Sequence, residues 1–202
     1  MTDLDAFSGA LEPDGDYEAL TFDDLDLSGQ DGAHARFIDC ALRGCDLDGT
    51  GLDHVQLLDT TLREVRAGTL DLADATWRDV DVTDCRLGAV QAYGGGLTRV
   101  TVRGGKIDYL NLREAHLTDV RFEGCVIGDL DLIGAHATRL VIEGCRIGRL
   151  DLTRAVLTDV DLRTADLSRL DGLAGLAGAT ISQEQLLDLA PALAAHLRIV
   201  VA

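Results

Sequence analysis

The feature that most constrains this chain is a five-residue hydrophobic period. Every fifth residue from Phe22 to Leu167 is apolar, with the single exception of Gly32, and none is charged. Phe22, Leu27, Phe37, Leu42 and Leu47 lie near the start of the series, and Ile147, Leu152, Leu157, Leu162 and Leu167 close it. A second series lies two residues earlier and runs from Leu20 through Cys45, Val55 and Cys145 to Leu170; it is apolar or small nearly throughout and also uncharged. Almost all Asp, Glu and Arg of this stretch fall in the other three positions. A period of five fits neither the 3.6 of a helix nor the 2.0 of a strand. It requires a backbone that turns a corner every five residues, sending two side chains in and three out.

Four such corners close a square, so a period of 20 should lie above the period of five. The related segments that begin at Leu70, Leu110, Leu130 and Leu150 are spaced by multiples of 20 residues. Together the two periods describe an all-β, four-sided solenoid of about 7–8 coils over residues 20–171. At the usual inter-strand spacing the rod is about 36 Å long. Residues 1–19 then form an acidic N-terminal segment or cap, and residues 172–202 a separate C-terminal module.

Beyond Leu170 the pattern dissolves through Gly172, Gly175 and Gly178. Ser182 and Gln185 have capping-box spacing, which predicts a helix start. Leu186, Leu189, Ala190, Leu193 and Leu197 follow as one apolar stripe, and Pro191 is expected to kink or split the helix. The chain closes on an apolar run, Ile199, Val200 and Val201, expected as a terminal strand. A helix that only caps the last coil does not need that run. Leu186, Leu189, Leu193, Leu197, Ile199 and Val201 therefore read as a dimerisation module.

Acids outnumber bases 35 to 18, for a formal charge of -17. Direct binding to nucleic acid or to an anionic membrane is disfavoured, because attraction to phosphate dominates both. A basic protein partner is favoured. The charge is unevenly spread: residues 1–60 hold 15 acids against Arg36 and Arg43, a net of -13. One outward column at 20-residue spacing reads Asp39, Asp59, Asp79 and then alternates as Arg99, Asp119, Arg139, Asp159. Asp26, Asp46, Asp71, Asp131, Asp151 and Asp166 precede inward leucines and are expected to bond turn backbone. The start lacks the features of a signal peptide, and a cytoplasmic location is expected.

Nothing in the sequence points to catalysis, a cofactor or a metal. All five cysteines (Cys40, Cys45, Cys85, Cys125, Cys145) fall in the second inward series, at multiples of five instead of zinc-site spacing. They read as small buried hydrophobes. His34 and His54 share one outward column and His116 and His136 another, so each pair should stack one coil apart. Two imidazoles on a flat face lack a third ligand, and solvated histidines are expected. Tyr93 to Gly96 reads as a strained or narrowed corner.

Ala165-Asp-Leu-Ser-Arg169 matches the consensus A(D/N)LXX, and Cys45-Asp-Leu-Asp-Gly49 is close to it. On these residues the chain resembles the pentapeptide-repeat family over about three-quarters of its length. The resemblance implies a right-handed quadrilateral β-helix. The C-terminal arrangement is similar to that of the Qnr-type and MfpA-type quinolone-resistance proteins, rods that dimerise end to end and bind DNA gyrase by imitating duplex DNA. The unbroken register resembles the loop-free MfpA type more. What the resemblance implies is a homodimer whose partner is DNA gyrase or a related type II topoisomerase; the charge gradient then places the contact on the N-terminal coils, through Asp39, Asp59 and Asp79. Duplex DNA of about 36 Å carries about 21 charges, the same order as this rod. The alternative is a non-catalytic acidic scaffold for another basic protein.

Overall fold

The computed structural model of the protein describes residues 4–167 and 169–200. The chain winds as a parallel β-solenoid in which each strand pairs with the one twenty residues on. Tyr17 pairs with Phe37, Phe37 with Leu57, Leu57 with Trp77, and the column continues through Leu97, Leu117 and Ala137 to Leu157. Most of both inward series is buried along the rod, from Phe22 and Ala35 to Val160 and Leu162, with Leu87, Val102 and Ala155 half-buried. The period of five is thus the period of the core.

Two polar members of the second inward series, Thr50 and Thr60, are fully buried. Their hydroxyls donate to the carbonyls of Leu27 (2.9 Å) and Phe37 (3.2 Å), 23 residues earlier. The Cys45 thiol donates likewise to the Phe22 carbonyl at 3.1 Å. A small donor here satisfies itself on the coil below, which is why cysteine and threonine are tolerated in a column filled mostly by apolar residues and glycine. Burial pushes the Cys85 thiol up to about 11.

Strand pairing reaches into the N-terminal segment. Asp16–Glu18 pairs with Arg36–Ile38, and Asp5–Ala6 pairs with Leu20–Thr21 at an offset of 15 instead of 20. Phe7 stacks on Phe22 at 4.3 Å and Tyr17 on Phe37 at 4.8 Å, closing this end with aromatic rings. Leu11 is buried and occupies the space beside Gly32, the one gap in the apolar series.

At the other end a 3-10 turn, Leu173–Leu176, leads to the single helix α1, Gln183–His196. Both capping-box bonds form: the Gln185 N–H donates to Ser182 Oγ (3.1 Å), and the Ser182 N–H to Gln185 Oε1 (2.7 Å). The Gln185 side chain also donates to the carbonyls of Leu162 (2.7 Å) and Ala165 (2.8 Å), tying the helix start to the last coil.

Two C-terminal expectations need correcting. Helix α1 runs unbroken through Pro191. The carbonyl released by the missing N–H belongs to Leu187, whose residue is 67% exposed, so water can take that bond, and the surrounding Leu, Ala and Gln are strong helix formers. Ile199 and Val200 form no strand, and the Ile199 N–H turns back to donate to the Ala194 carbonyl of α1 (2.8 Å); Val201 lies outside the described residues.

Candidate functional site

The outward columns are set by the corners. At most corners the residue two places after the inward side chain has a positive φ, near 50–70°, as at Asp14, His34, Asp39, Gly49, Asp59, Asp79, Arg99, Asp119 and Asp159. Left-handed backbone favours Gly, Asn, Asp and His. A rod with so many such corners therefore carries Asp for local reasons before any partner is considered.

One side of the rod behaves differently. Its first corners, at Gly29 and Gly49, are left-handed, but from residue 66 onward the strands Arg66–Asp71, Arg86–Gln91, Lys106–Asn111, Val126–Asp131 and Arg146–Asp151 run straight across. Gly68, Gly88, Gly128 and Gly148 stand in these strands. A Cβ on Gly88 would sit 2.2 Å from the Gly68 carbonyl oxygen. At Gly88, Gly128 and Gly148 the coil below approaches too closely for a side chain, whereas Asp108 carries one in the same column.

Several acids are consumed by the backbone. The N–H of Ser28 donates to Asp26 Oδ1 (3.0 Å), that of Asp48 to Asp46 (3.0 Å), of Ala73 to Asp71 (3.1 Å), of Ile133 to Asp131 (3.0 Å) and of Thr153 to Asp151 (2.9 Å). These are Asx turns, as expected for that position. The Ser28 hydroxyl and N–H hold the Asp26 carboxyl below its ordinary value. The partner expected for Asp166 would be Ser168, which lies outside the described residues.

The column of Asp39, Asp59 and Asp79 divides. Arg99 grips Asp79 with two bonds of 2.6 and 2.7 Å, and those bonds hold the Asp79 carboxyl below its ordinary value. Arg139 grips Asp119 in the same way. Asp39 and Asp59 are exposed and have no hydrogen-bond or ion-pair partner among the described residues. Asp14, Glu18 and Asp24 share that condition. The acidic field is concentrated on the first coils, and Asp79 closes it.

Farther along, cations lace the coils together. Arg103 reaches Glu123 (2.9 Å) and Asp81 (3.1 Å), and Arg113 reaches the buried Asp131 (2.7 Å). Arg149 bonds Asp129, Asp151 and Asp171 at once, at 3.1, 2.6 and 2.7 Å. Burial opposes ionisation of Asp151, but bonds from Thr153 and Arg149 outweigh it and leave its carboxyl below the ordinary value.

Both histidine stacks form: His34 and His54 at 4.7 Å, His116 and His136 at 5.1 Å. The missing third ligand is a correction. Asp53 Oδ2 lies 3.2 Å from His54 Nδ1, so one stack has a carboxylate beside it. Reading columns alone hides a neighbour one residue away within the same turn.

The C-terminal stripe is open. Leu186, Leu187, Leu197, Ile199 and Val200 are exposed, Leu189 and Leu193 are half-buried, and no residue of α1 is buried. The rod interior holds an apolar cavity of about 50 Å³, lined by residues that include Leu62, Ala92, Phe122 and Trp77, too small for a substrate. Trp77 Nε1 is buried without a partner among the described residues. Among those residues no helix is long and apolar enough to cross a membrane.

Residues 35–112 match the family model described as pentapeptide repeat region. No curated protein matches the chain in sequence. Solved structures to which it is similar include a trypsin-treated variant of QnrB1, a plasmid-mediated fluoroquinolone resistance protein, at 18% identity over 98% of this chain and 95% of that one, with a TM-score of 0.45. HetL, a pentapeptide repeat protein involved in heterocyst differentiation regulation from the cyanobacterium Nostoc, is similar at 17% identity over 87% and 93%, with a TM-score of 0.43. Residues 35–112 are thus similar to the pentapeptide-repeat family, and the five-residue register runs unbroken on both sides of that segment.

Proposed function

We propose that this chain is a non-catalytic, DNA-mimicking protein of the cytoplasm that binds DNA gyrase or a related type II topoisomerase, modulating it or protecting it from a poison. The observation that carries the reading is the unpartnered acidic surface of the first coils, Asp39 and Asp59 above all, on a rod with a net charge of -17. Such a surface attracts Arg and Lys of a partner, and its field falls off over a Debye length of about 8 Å at physiological salt. Asp79 stands at the edge of this surface, already occupied by Arg99. In the test, purified gyrase should lose supercoiling activity, or show less poison-induced cleavage, at micromolar protein. No effect on either refutes the reading. Replacing Asp39 and Asp59 by Asn should weaken binding and flatten its salt dependence; Asp79→Asn should matter less.

A homodimer through the C-terminal module is part of this proposal. Leu186, Leu197, Ile199 and Val200 present an apolar surface that a second copy would cover. Leu197→Asp should convert a dimer, measured by light scattering, into a monomer. A wild type that is monomeric at high concentration overturns this part. The rival is an acidic scaffold that docks another basic protein, favoured by the self-neutralised Arg–Asp ladder beyond Asp79. A salt-sensitive pull-down containing no topoisomerase subunit selects it.

A further inference from the structure

We propose that His34, Asp53 and His54 form a site for a divalent transition metal, suited to Zn2+, that joins two neighbouring coils near the N-terminal end of the rod. This does not rest on the gyrase reading. One ligand atom from each of the three residues lies within 4.8 Å of the others. Tetrahedral Zn2+ holds its ligands at about 2.0–2.1 Å, which sets neighbouring ligand atoms about 3.3 Å apart. His54 Nδ1 and Asp53 Oδ2, at 3.2 Å, already have that separation. The His34 ring lies face to face with His54, 4.7 Å between centroids, and is exposed, so rotation about its side-chain bonds brings a nitrogen the remaining distance.

The outer sphere is present too. Asp74 Oδ2 lies 3.9 Å from His54 Nε2, on the edge of the ring away from Asp53. A metal on Nδ1 leaves Nε2–H facing Asp74, and a small side-chain rotation would close the hydrogen bond that fixes and strengthens histidine ligands. The corner column reads Asp14, His34, His54, Asp74, Gly94, Glu114 and Gly134 before its first cation, Arg154. Two imidazoles with a carboxylate select Zn2+, Ni2+ or Cu2+ over Mg2+ or Ca2+. Because the two histidines come from successive coils, a bound ion cross-links those coils on the outer face of the rod.

The molecule contains its own control. His116 and His136 stack at 5.1 Å and nearly parallel, but among the described residues no third ligand gathers with them. The experiment is calorimetric titration of the untagged full-length protein with Zn2+, with Mg2+ in parallel, followed by thermal unfolding. One equivalent of Zn2+ should bind saturably and raise Tm by roughly 5 °C at a hundredfold excess over Kd. His34→Asn and His54→Asn, which keep a side chain tolerant of left-handed backbone, should abolish the binding while far-UV circular dichroism stays unchanged. Asp53→Asn and Asp74→Asn should each weaken it tenfold or more. His116→Asn and His136→Asn should change nothing. Absence of saturable Zn2+ binding, survival of binding in the His34→Asn/His54→Asn double variant, or equal loss in the His116 and His136 variants overturns the proposal.

Discussion

Asp59 and Asp119 occupy the same corner of the rod three coils apart, with φ of 50° and 56°. What differs is the next residue up the column. Above Asp59 stands Asp79; above Asp119 stands Arg139, which reaches back and neutralises it. The first coils therefore carry acids held in place by turn geometry and left open, whereas the later coils carry acids sewn to the neighbouring coil. Identical backbone produces an interaction surface in one region and a structural brace in the other. The choice lies in a single outward position every twenty residues.

The largest expected break of this contrast is Arg149→Met. It leaves Asp129, Asp151 and Asp171 without their shared cation, and Asp151 is buried. Removing one partner of such a cluster should cost about 3 kcal/mol, a fall in Tm of roughly 6–12 °C in thermal unfolding. Asp59→Asn, at an open acid, should shift Tm by only about 1–2 °C.

A second contrast concerns the corners. Gly88→Ala drives a methyl group into the Gly68 carbonyl and should cost about 2–3 kcal/mol. Gly49→Ala meets nothing within 4 Å and only pays for its φ of +66°, about 1 kcal/mol. Urea unfolding of both variants measures the difference; equal losses would mean the straight and left-handed corners are interchangeable.

Acid should separate the regions further. Asp79, Asp119, Asp151 and Asp161 have carboxyls held below their ordinary values in the folded state. Depressed values of this kind add stability that is complete above the unfolded carboxylate pKa of about 3.9 and is lost as pH falls through the folded values. Hydrogen exchange below about pH 4 should show protection falling first in the laced coils. Asp26 in the first coils is held down too, by Ser28 of its own turn, and that turn should share in the loss. The smallest effect is that of salt: raising NaCl to 0.5 M should stabilise the first coils slightly, by screening, and weaken the exposed Arg–Asp pairs slightly.

Much of this architecture was legible in the residues because burial in a solenoid has a fixed period. The inward series, the Asx role of Asp26, Asp46, Asp71, Asp131 and Asp151, and the capping box of Ser182 and Gln185 all follow from local rules. What escaped required three dimensions. The pairing of Asp79 depends on an arginine one coil on that reaches backward instead of forward. The second task of Gln185, closing the carbonyls of Leu162 and Ala165, depends on where the helix lands. The straight corners beginning near Gly68 reflect close stacking that no single-coil pattern encodes. Asp53 was hidden because it neighbours His54 along the turn and not along the column.

The exact pairing of residues twenty places apart through the body of the rod makes length a variable that can be edited in whole steps. Excising residues 81–100 would join Val80 to Thr101, which pairs with Asp81 and so takes over its column. Every inward side chain would return to its own column, and the rod would shorten by one strand spacing, about 4.8 Å. The outer face would not be restored: Arg99 disappears and Asp79 comes to lie beneath Asp119. A duplication of twenty residues does the reverse. Gain and loss of single coils can thus rewrite the order of charges a partner meets while leaving the interior unchanged, so a lineage of such rods can vary what it displays by changing how many coils it has.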